Sequence, residues 1–298
     1  MNAAVKIADQ FFTNEQLLVY LEGRKTPRQD FKSTKTASLG DARVILLTDE
    51  GSASASEIFA GAIQDWDRGI IMGRRTFGKG LVQNAFYLTD GSMVRLTIAR
   101  YYTPAGRSIQ SPYTEGYDKY MENFYKRYSD GEMVSANSVH FPDSLKSKTL
   151  VTKRIVYSGG GIMPDVFVSA DTSSNSAYSR ELVAKGIITR FTLQYEDKNR
   201  ARLNADFKTF EQFSKNFNFS PADIESLKKM ATDAGIIYNE AQYKISEKDI
   251  LSVMKGLIAR DLWEMNEYYR TVNIDDIVIN KALEVISDKK AYDKILGY

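Results

Sequence analysis

The sequence predicts an α/β fold followed by a carboxyl-terminal region made of helices. The first observation is a continuous apolar run, Val44 to Leu47, which is typical of a buried strand. A helical pattern from Ala55 to Trp66 follows it, and Gly69 to Gly73 then has the pattern of a second buried strand. Beyond about Arg180, every apolar pattern has helical spacing. Strand, helix, strand and a later hairpin together indicate a sheet of mixed direction.

Composition limits the classes of function that need to be considered. The chain has 298 residues, and its 40 Lys and Arg against 38 Asp and Glu give a net charge of +2, which does not indicate a nucleic-acid partner. No apolar run approaches the roughly 20 residues of a membrane span. No signal peptide is visible at Met1 to Lys6. Cysteine is absent, which excludes disulfides and cysteine nucleophiles.

The amino-terminal elements follow from apolar spacing. Residues 3–12 predict a helix, and Leu17 to Leu21 predict a short strand. The polar residues 23–40 predict a loop or an edge hairpin. The run at residues 44–47 predicts a strand that is buried on both faces. The helix after it has one apolar face, formed by Ala55, Ile58, Phe59, Ala62, Ile63 and Trp66.

A β-hairpin is predicted after the second buried strand. Asn84 to Leu88 and Met93 to Tyr102 have strand patterns, and the Asp90-Gly91 pair between them is a turn signal. In the second strand, apolar residues alternate with polar ones, so one face is expected to be buried; its apolar residues are Val94, Leu96 and Ile98.

The rest of the chain is tyrosine-rich and then helical. Residues 111–150 contain a short helix at about 118–128, and a glycine-rich loop at 159–165 precedes a strand at 166–168. A polar linker at 171–179 predicts a boundary between two domains, residues 1–179 and 180–298. The second domain has helical patterns at 181–195, 206–216, 220–234, 246–269 and 274–287.

Ser54 stands between the first buried strand and the helix, where two roles are open to it. Ser54-Ala55-Ser56-Glu57 fits a capping box, in which the serine caps the helix and the glutamate reaches back. A serine at a helix N-terminus also projects its hydroxyl where backbone N–H groups point outward, as a nucleophile needs. The amide of Ala55 is then placed to stabilise an oxyanion.

Lys79, in Phe77-Gly78-Lys79-Gly80, is the candidate base for such a serine. The only histidine, His140, lies in a predicted loop, so lysine is the next candidate. A lysine base at neutral pH must have its pKa lowered by about three units, roughly 4 kcal/mol, and burial among apolar residues would lower it. The alternative is a solvated loop lysine. The Ser-x-x-Lys pairs Ser226/Lys229 and Ser287/Lys290 are expected to lie on solvated helical faces.

These residues resemble a known family. The stretch from Val44 to Gln110 is similar to the core of the carboxyl-terminal processing peptidases, the tail-specific serine proteases. Two further stretches share this similarity, AAVKIADQFF near the start and GIMPDVFV at Gly161 to Val168. The resemblance implies that Ser54 is the nucleophile, Lys79 the base and Gln83 the residue that holds the lysine. It implies an acyl-enzyme mechanism that uses no metal or cofactor.

The resemblance also implies a fold, a substrate class and a location. The expected core is the α/β fold shared by crotonases and Clp-type proteases, with residues 111–158 as an insertion. The expected substrates are proteins with exposed carboxyl-terminal tails, the expected location is the bacterial cell envelope or periplasm, and a homo-oligomer is possible. Residues 180–298 are interpreted as a helical domain for packing and assembly, with tail recognition as the alternative.

Two family features are missing from this sequence. The peptide-binding PDZ module and the upstream glycine segment that supplies a second oxyanion donor are both absent, so the chain is expected to start inside the protease core and to cleave poorly. Two other functions stay open. One is a non-catalytic peptide- or ligand-binding protein on the same scaffold, and the other is a crotonase-type acyl-thioester enzyme. Labelling of Ser54 by a fluorophosphonate, lost in Lys79→Ala, would distinguish the peptidase from both.

Overall fold

Two folding units divide the chain in the computed structural model, which describes all 298 residues. The first unit contains Met1–Ala170 together with Lys281–Tyr298, and the second contains Asp171–Asn280. The first holds every strand, whereas the second is helical. None of the helices combines the length and the apolar character needed to cross a membrane.

The strands form three sheets, and both parallel and antiparallel pairings occur. One sheet is antiparallel in the order β2-β1-β6-β5, one is parallel in the order β3-β4-β9, and β7 pairs with β8. The bounds are β1 Leu17–Gly23, β2 Thr26–Lys32, β3 Ile45–Thr48, β4 Ile70–Gly73, β5 Leu81–Tyr87, β6 Met93–Tyr102, β7 Lys146–Lys148, β8 Ile155–Tyr157 and β9 Val166–Phe167. The predicted α/β class with strands of mixed direction is confirmed, although the two directions occupy separate sheets.

Eleven α-helices accompany these strands. Their bounds are α1 Asn2–Asp9, α2 Ala55–Asp65, α3 Tyr117–Ser129, α4 Ala177–Ala184, α5 Ile187–Asp206, α6 Phe210–Asn216, α7 Pro221–Asp233, α8 Glu240–Leu262, α9 Met265–Val272, α10 Ile277–Ser287 and α11 Lys289–Leu296. The carboxyl-terminal region is therefore helical, as predicted. The sequence patterns did not predict α11, and they merged α4 with α5 and α8 with α9.

The core of the first unit is built around α2. Its apolar face lies inside, with Ile58 and Ile63 almost fully buried, and it packs against α1 and β1. Burying an isoleucine contributes about 1.5–3 kcal/mol, so this helix is stabilised mainly by its tertiary contacts. Strand β4 is buried as predicted: Ile70, Ile71 and Met72 have no exposed surface. The junction between β3 and α2 is thereby fixed to a rigid core.

Two burial predictions for the strands are wrong. In β6, Val94 and Leu96 are 37% and 52% exposed, because the outer half of the β5–β6 hairpin extends beyond the core and only the inner half, from Ile98 onward, is covered. In β3, Leu47 is 39% exposed, since this strand is at the edge of its sheet and Leu47 lines a small cavity.

The second unit has its own aromatic and aliphatic core, to which Phe213, Leu227, Met254 and Ile258 contribute fully buried side chains. Two of its predicted helices are each interrupted. Gly186, in the left-handed conformation, separates α4 from α5, as glycine commonly does at a helix end. Trp263 leaves the helical conformation and separates α8 from α9.

Candidate functional site

Ser54 lies at the sharp turn between β3 and α2, immediately before the first helical residue. Its backbone has φ 56° and ψ −109°, a conformation that non-glycine residues rarely adopt. Such a conformation costs about 1–3 kcal/mol and persists only where the surroundings enforce it. Strained serines at strand-to-helix turns expose their hydroxyl above the sheet, which is a recurrent arrangement of nucleophiles.

The Ser54 hydroxyl is not used to cap its helix. The Glu57 carboxylate reaches back to accept from the Ser54 N–H at 2.8 Å, as in the predicted capping box. The Ser54 side chain, however, makes no capping hydrogen bond, and the Glu57 N–H donates to the Ser54 carbonyl instead. The serines of the two Ser-x-x-Lys pairs differ from Ser54 in their hydrogen bonds. Ser226 and Ser287 are exposed, and their hydroxyls donate to carbonyls of their own helices. The predicted solvated positions of these two serines are confirmed.

The Glu57 carboxylate is buried and joins α2 to the loop that carries Lys79. One oxygen, Oε2, accepts from the N–H groups of Ser54 and Lys79 at 2.8 and 2.9 Å. The other, Oε1, accepts from the Thr76 hydroxyl at 2.6 Å and the Gly78 N–H at 2.7 Å. Burial raises the pKa of Glu57, and these hydrogen bonds oppose that shift. The carboxylate therefore fixes the backbones of Ser54 and Lys79 relative to one another.

Tyr101 adds a second connection between the same two residues. Its hydroxyl lies within hydrogen-bonding distance of the Ser54 carbonyl, at 3.0 Å, and of the Lys79 carbonyl. Burial is the main cause that raises the pKa of Tyr101, so the group stays a neutral donor. A single O–H proton can be donated to only one carbonyl at a time, so the two carbonyls share it.

Both glycines beside Lys79 are required by the packing of the loop. Gly78 has φ +91°, and a Cβ there would lie 2.2 Å from the Ser111 hydroxyl oxygen. A Cβ at Gly80 would lie 2.8 Å from the Gln110 backbone nitrogen. The Gly80 N–H donates to the Gln110 side chain at 2.9 Å. The two glycines therefore let the loop backbone pack closely against Gln110 and Ser111.

The side chain of Lys79 is exposed, which corrects the expectation that apolar neighbours bury it. The reason is that Leu81 and Val82 extend into β5, and Phe77 packs on the ring of Phe124 at a centroid distance of 4.5 Å, so none of them covers the amine. Gln83 is also exposed, and it lines the same pocket of about 1140 Å³ as Lys79.

The other two predicted site residues are not among those that line this pocket. Ser54 is partly exposed at its turn, and Ala55 lines a separate, mainly apolar cavity of about 270 Å³ between α1, β3 and α2. The structure thus brings together the Ser54 and Lys79 backbones and, separately, the Lys79 and Gln83 side chains. No group of three or more His, Cys, Asp or Glu side chains is arranged to hold a metal ion. His140 is exposed in a loop, as predicted.

Helix α3 is anchored to the loop that carries Lys79. Arg127 is buried and donates to the carbonyls of Arg75 and Thr76 at 2.8 and 3.0 Å. Glu132 accepts from Arg127 and also pairs with Arg75 at 2.6 Å. A buried charge is stable only when it is paired in this way. The segment that follows residue 110 therefore contacts the candidate site directly.

Comparisons with known proteins agree with these motifs. A family model described as Peptidase family S41 matches residues 1–116. A carboxyl-terminal-processing protease of Synechocystis is 38% identical over 109 residues, 37% of this chain and 25% of that protein. A carboxy-terminal-processing protease of Bartonella bacilliformis is 43% identical over 111 residues, with the same coverage.

The amino-terminal part of the chain is thus similar to peptidase family S41 over residues 1–116. A chloroplastic C-terminal processing peptidase of Tetradesmus obliquus is 56% identical over 66 residues, 22% of this chain and 14% of that protein. Among solved structures, a photosystem II D1 C-terminal processing protease has 39% identity and a TM-score of 0.35, covering 37% of this chain and 28% of that one. The chain thus spans between 14% and 25% of the length of these curated relatives.

The S41 match contains all four predicted site residues and ends near α3. The residues that anchor α3, Arg127 and Glu132, lie beyond it. A second model, described as Family of unknown function (DUF8443), matches residues 178–265, which belong to the helical unit.

Sequence reasoning missed the two side chains that position the site. Glu57 was assigned only to a capping box, although a glutamate in the middle of a small-residue and apolar stretch is a signal of a buried, paired carboxylate. Tyr101 was assigned only to a strand. Its position two residues after Ala99, on the buried face of β6, is the signal that its hydroxyl needs a partner in the core.

Proposed function

We propose that this chain carries the catalytic residues of a serine endopeptidase that cuts proteins near their carboxyl-terminal tails. Ser54 attacks the peptide carbonyl carbon, and its hydroxyl proton passes to the neutral amine of Lys79. The tetrahedral intermediate then collapses to an acyl ester on Ser54, while Lys79 returns the proton to the leaving amine. Water hydrolyses the ester with Lys79 again as base, which restores both residues.

The observation that carries this proposal is the joint positioning of Ser54 and Lys79. Ser54 is held in a strained backbone conformation, and its N–H donates to Glu57 Oε2 at 2.8 Å. The Lys79 N–H donates to the same oxygen at 2.9 Å. A capping serine does not need such strain, and a solvated loop lysine does not need a buried carboxylate under its backbone. Strain that the surrounding structure enforces is typical of functional residues.

The other two residues have supporting roles in the proposal. The Ala55 N–H, in the first turn of α2, donates to the oxyanion where the helix dipole also favours negative charge. Gln83 lines the pocket with Lys79, and its proposed role is to orient the amine when substrate is bound. A single oxyanion donor contributes about 2.7–4 kcal/mol to transition-state stabilisation in a serine protease.

In this proposal, the bound substrate desolvates Lys79. The amine is exposed in the free chain, and it lines a pocket whose walls include Phe77, Tyr113 and Tyr120. A peptide that lies in this pocket displaces water from the amine and so favours its neutral form. Substrate binding would therefore prepare the base for reaction.

The remaining parts of the proposal concern the whole protein. Residues 1–179 act as the catalytic core with 111–158 as an insertion, and the helical region 180–298, whose residues 281–298 belong to the first unit, is used in packing and in the assembly of homo-oligomers. The match to bacterial carboxyl-terminal-processing proteases supports a location in the cell envelope or periplasm.

The test is covalent labelling with a fluorophosphonate, followed by peptide mapping. The proposal expects a modification on Ser54 that is lost in Ser54→Ala and retained in Ser56→Ala, the matched neighbour on the same helix. Labelling of Ser52 or Ser56 in place of Ser54, or equal labelling of all three, would contradict the assignment of the nucleophile.

A non-catalytic peptide-binding protein is the second candidate, and one observation favours it. Lys79 is exposed, and Ser54 is not among the residues that line the Lys79 pocket. A binding protein would take up peptides in the pocket but leave them uncut and would not react with the probe. Binding of a peptide without cleavage and without Ser54 labelling would establish this alternative.

A further inference from the structure

The pocket beside Lys79 has a floor made by one sheet and a wall made by one helix. In β6, Ile98, Arg100 and Tyr102 alternate with the buried Ala99 and Tyr101, so they share the outer face of the sheet. Helix α3 and the turn before it supply the opposite wall, with Tyr113, Tyr117, Tyr120 and Met121. The volume, about 1140 Å³, exceeds that of one side chain and suits a stretch of peptide.

The charges in this pocket are unbalanced. Three cations, Arg24, Arg100 and Lys79, line it against a single anion, Glu22, so the local charge is 3 − 1 = +2. None of these four side chains takes part in an ion pair. Several other arginines of the first unit are paired, for example Arg28 with Asp30 and Arg74 with Glu50. The pocket therefore offers unpaired donors to a ligand.

We propose that Arg24 and Arg100 bind a carboxylate of the peptide that occupies this pocket. Arginine presents planar, always charged donors that match a carboxylate, and this role leaves the Lys79 amine free for proton transfer. The two residues reach the pocket from adjacent places, because Arg100 pairs in register with Glu22 of β1, and Arg24 follows the end of that strand.

The tyrosines of the pocket wall determine which peptide side chains fit next to the bound carboxylate. Tyr113 and Tyr120 pack against each other with ring centroids 5.3 Å apart, and Tyr120 contacts Phe77 at 6.0 Å. This wall is apolar with polar tips, and it suits apolar side chains next to the acidic group. The inference rests on the proposed function for its substrate class, and it assigns specificity within the class to Arg24, Arg100 and the wall of α3.

The experiment measures peptide binding by fluorescence anisotropy to the Ser54→Ala chain, which removes turnover. Three amino-terminally labelled apolar peptides are compared: one with a free α-carboxyl, one with a carboxamide end, and one with a carboxamide end and a penultimate glutamate. A free-carboxyl or glutamate peptide is expected to bind at least tenfold more tightly than the neutral peptide. Whichever of the two acidic peptides binds more tightly shows whether the pocket takes the α-carboxylate or a glutamate side chain.

Variants of the pocket make the test specific. Arg24→Gln and Arg100→Gln are expected to weaken binding of the acidic peptide at least fivefold, and Glu22→Gln to strengthen it, because it removes the repelling charge. Arg95→Gln is the matched control: Arg95 is exposed on the same strand, makes no ion pair and does not line the pocket. Thermal melts check that each variant is folded.

Two results would overturn the inference. One is equal binding of neutral and acidic peptides, or no binding of any of them at millimolar concentration. The other is a loss in Arg95→Gln as large as in Arg100→Gln, which would indicate a nonspecific charge effect. Since binding is measured without the Ser54 hydroxyl, failure of the proposed catalysis and failure of this carboxylate site are recorded separately.

Discussion

Ser54 and Lys79 bind the same carboxylate oxygen. The Ser54 N–H donates to Glu57 Oε2 at 2.8 Å and the Lys79 N–H donates to it at 2.9 Å, while the hydroxyl of Tyr101 lies between their carbonyls. Two residues that are 25 positions apart in the sequence are therefore held by one buried group on α2 and one on β6. This arrangement gives the site its rigidity, and the first predictions concern it.

Removal of the Glu57 carboxylate is expected to destabilise the chain and to abolish reactivity at Ser54. In Glu57→Ala, three backbone N–H groups and the Thr76 hydroxyl lose their acceptor inside the protein. The free energy of unfolding should fall by roughly 3–5 kcal/mol, the usual effect of breaking a buried polar network. Denaturant titration measures the loss. The exposed Glu115→Ala should change stability by less than about 0.5 kcal/mol, and a similar small change in Glu57→Ala would contradict the structural role.

Gly78→Ala is expected to disrupt the loop by steric overlap as well as by backbone strain. Its new Cβ would lie 2.2 Å from the Ser111 hydroxyl oxygen, at φ +91°. Gly91 is the matched control, because it has φ +82° and open space around it. Gly91→Ala should cost only the conformational strain of about 1–2 kcal/mol.

The overlap at Gly78 can be tested separately with a second substitution. Ser111→Ala removes the oxygen that the new Cβ would meet, so the double variant Gly78→Ala/Ser111→Ala should regain part of the lost thermal stability and of the Ser54 labelling. If Gly78→Ala is no more harmful than Gly91→Ala, close packing at this loop is not what requires the glycine.

The sequence predicted the elements of the site better than its environment. The turn at Ser54, helix α2 and the glycine-flanked Lys79 follow from local patterns, because caps, apolar spacing and glycines act over a few residues. The strain at Ser54 could not be predicted, since local patterns do not show contacts such as the hydrogen bond from Tyr101, 47 residues away, to the Ser54 carbonyl. The exposure of Lys79 was missed for the same reason: burial of a side chain is decided by segments distant in sequence, here α3 and the β5–β6 hairpin.

The helical unit is expected to lose stability as the pH rises toward neutrality because of Glu196. This side chain is buried on α5, pairs with Arg200 at 2.6 Å and has the like charge of Asp261 nearby, and burial together with Asp261 raises its pKa to about 7. A carboxyl whose pKa is higher in the folded state stabilises the fold fully below its ordinary pKa of 4.5, and this contribution is lost as the pH rises to about 7.

Hydrogen–deuterium exchange of α5, corrected for the intrinsic pH dependence, measures this effect. Glu196→Gln should protect the α5 amides more than the unmodified chain at pH 8, with a much smaller difference at pH 5. Glu181→Gln, an exposed acid in the same unit, is the control and should leave the pH dependence unchanged. Equal effects of Glu196→Gln at both pH values would mean that the carboxyl titrates normally.

One measurement tests most directly the central claim that Lys79 activates Ser54. It is the rate at which a fluorophosphonate labels Ser54 between pH 5 and 10, compared in the unmodified chain and in Lys79→Ala. Because a general base contributes about 10²–10⁴-fold, the variant should label at least about 100-fold more slowly near neutral pH, and the rise of the rate with pH should disappear. If Ser54 of the Lys79→Ala chain is labelled at the same rate and with the same pH profile as Ser54 of the unmodified chain, the proposal that Lys79 activates Ser54 is contradicted.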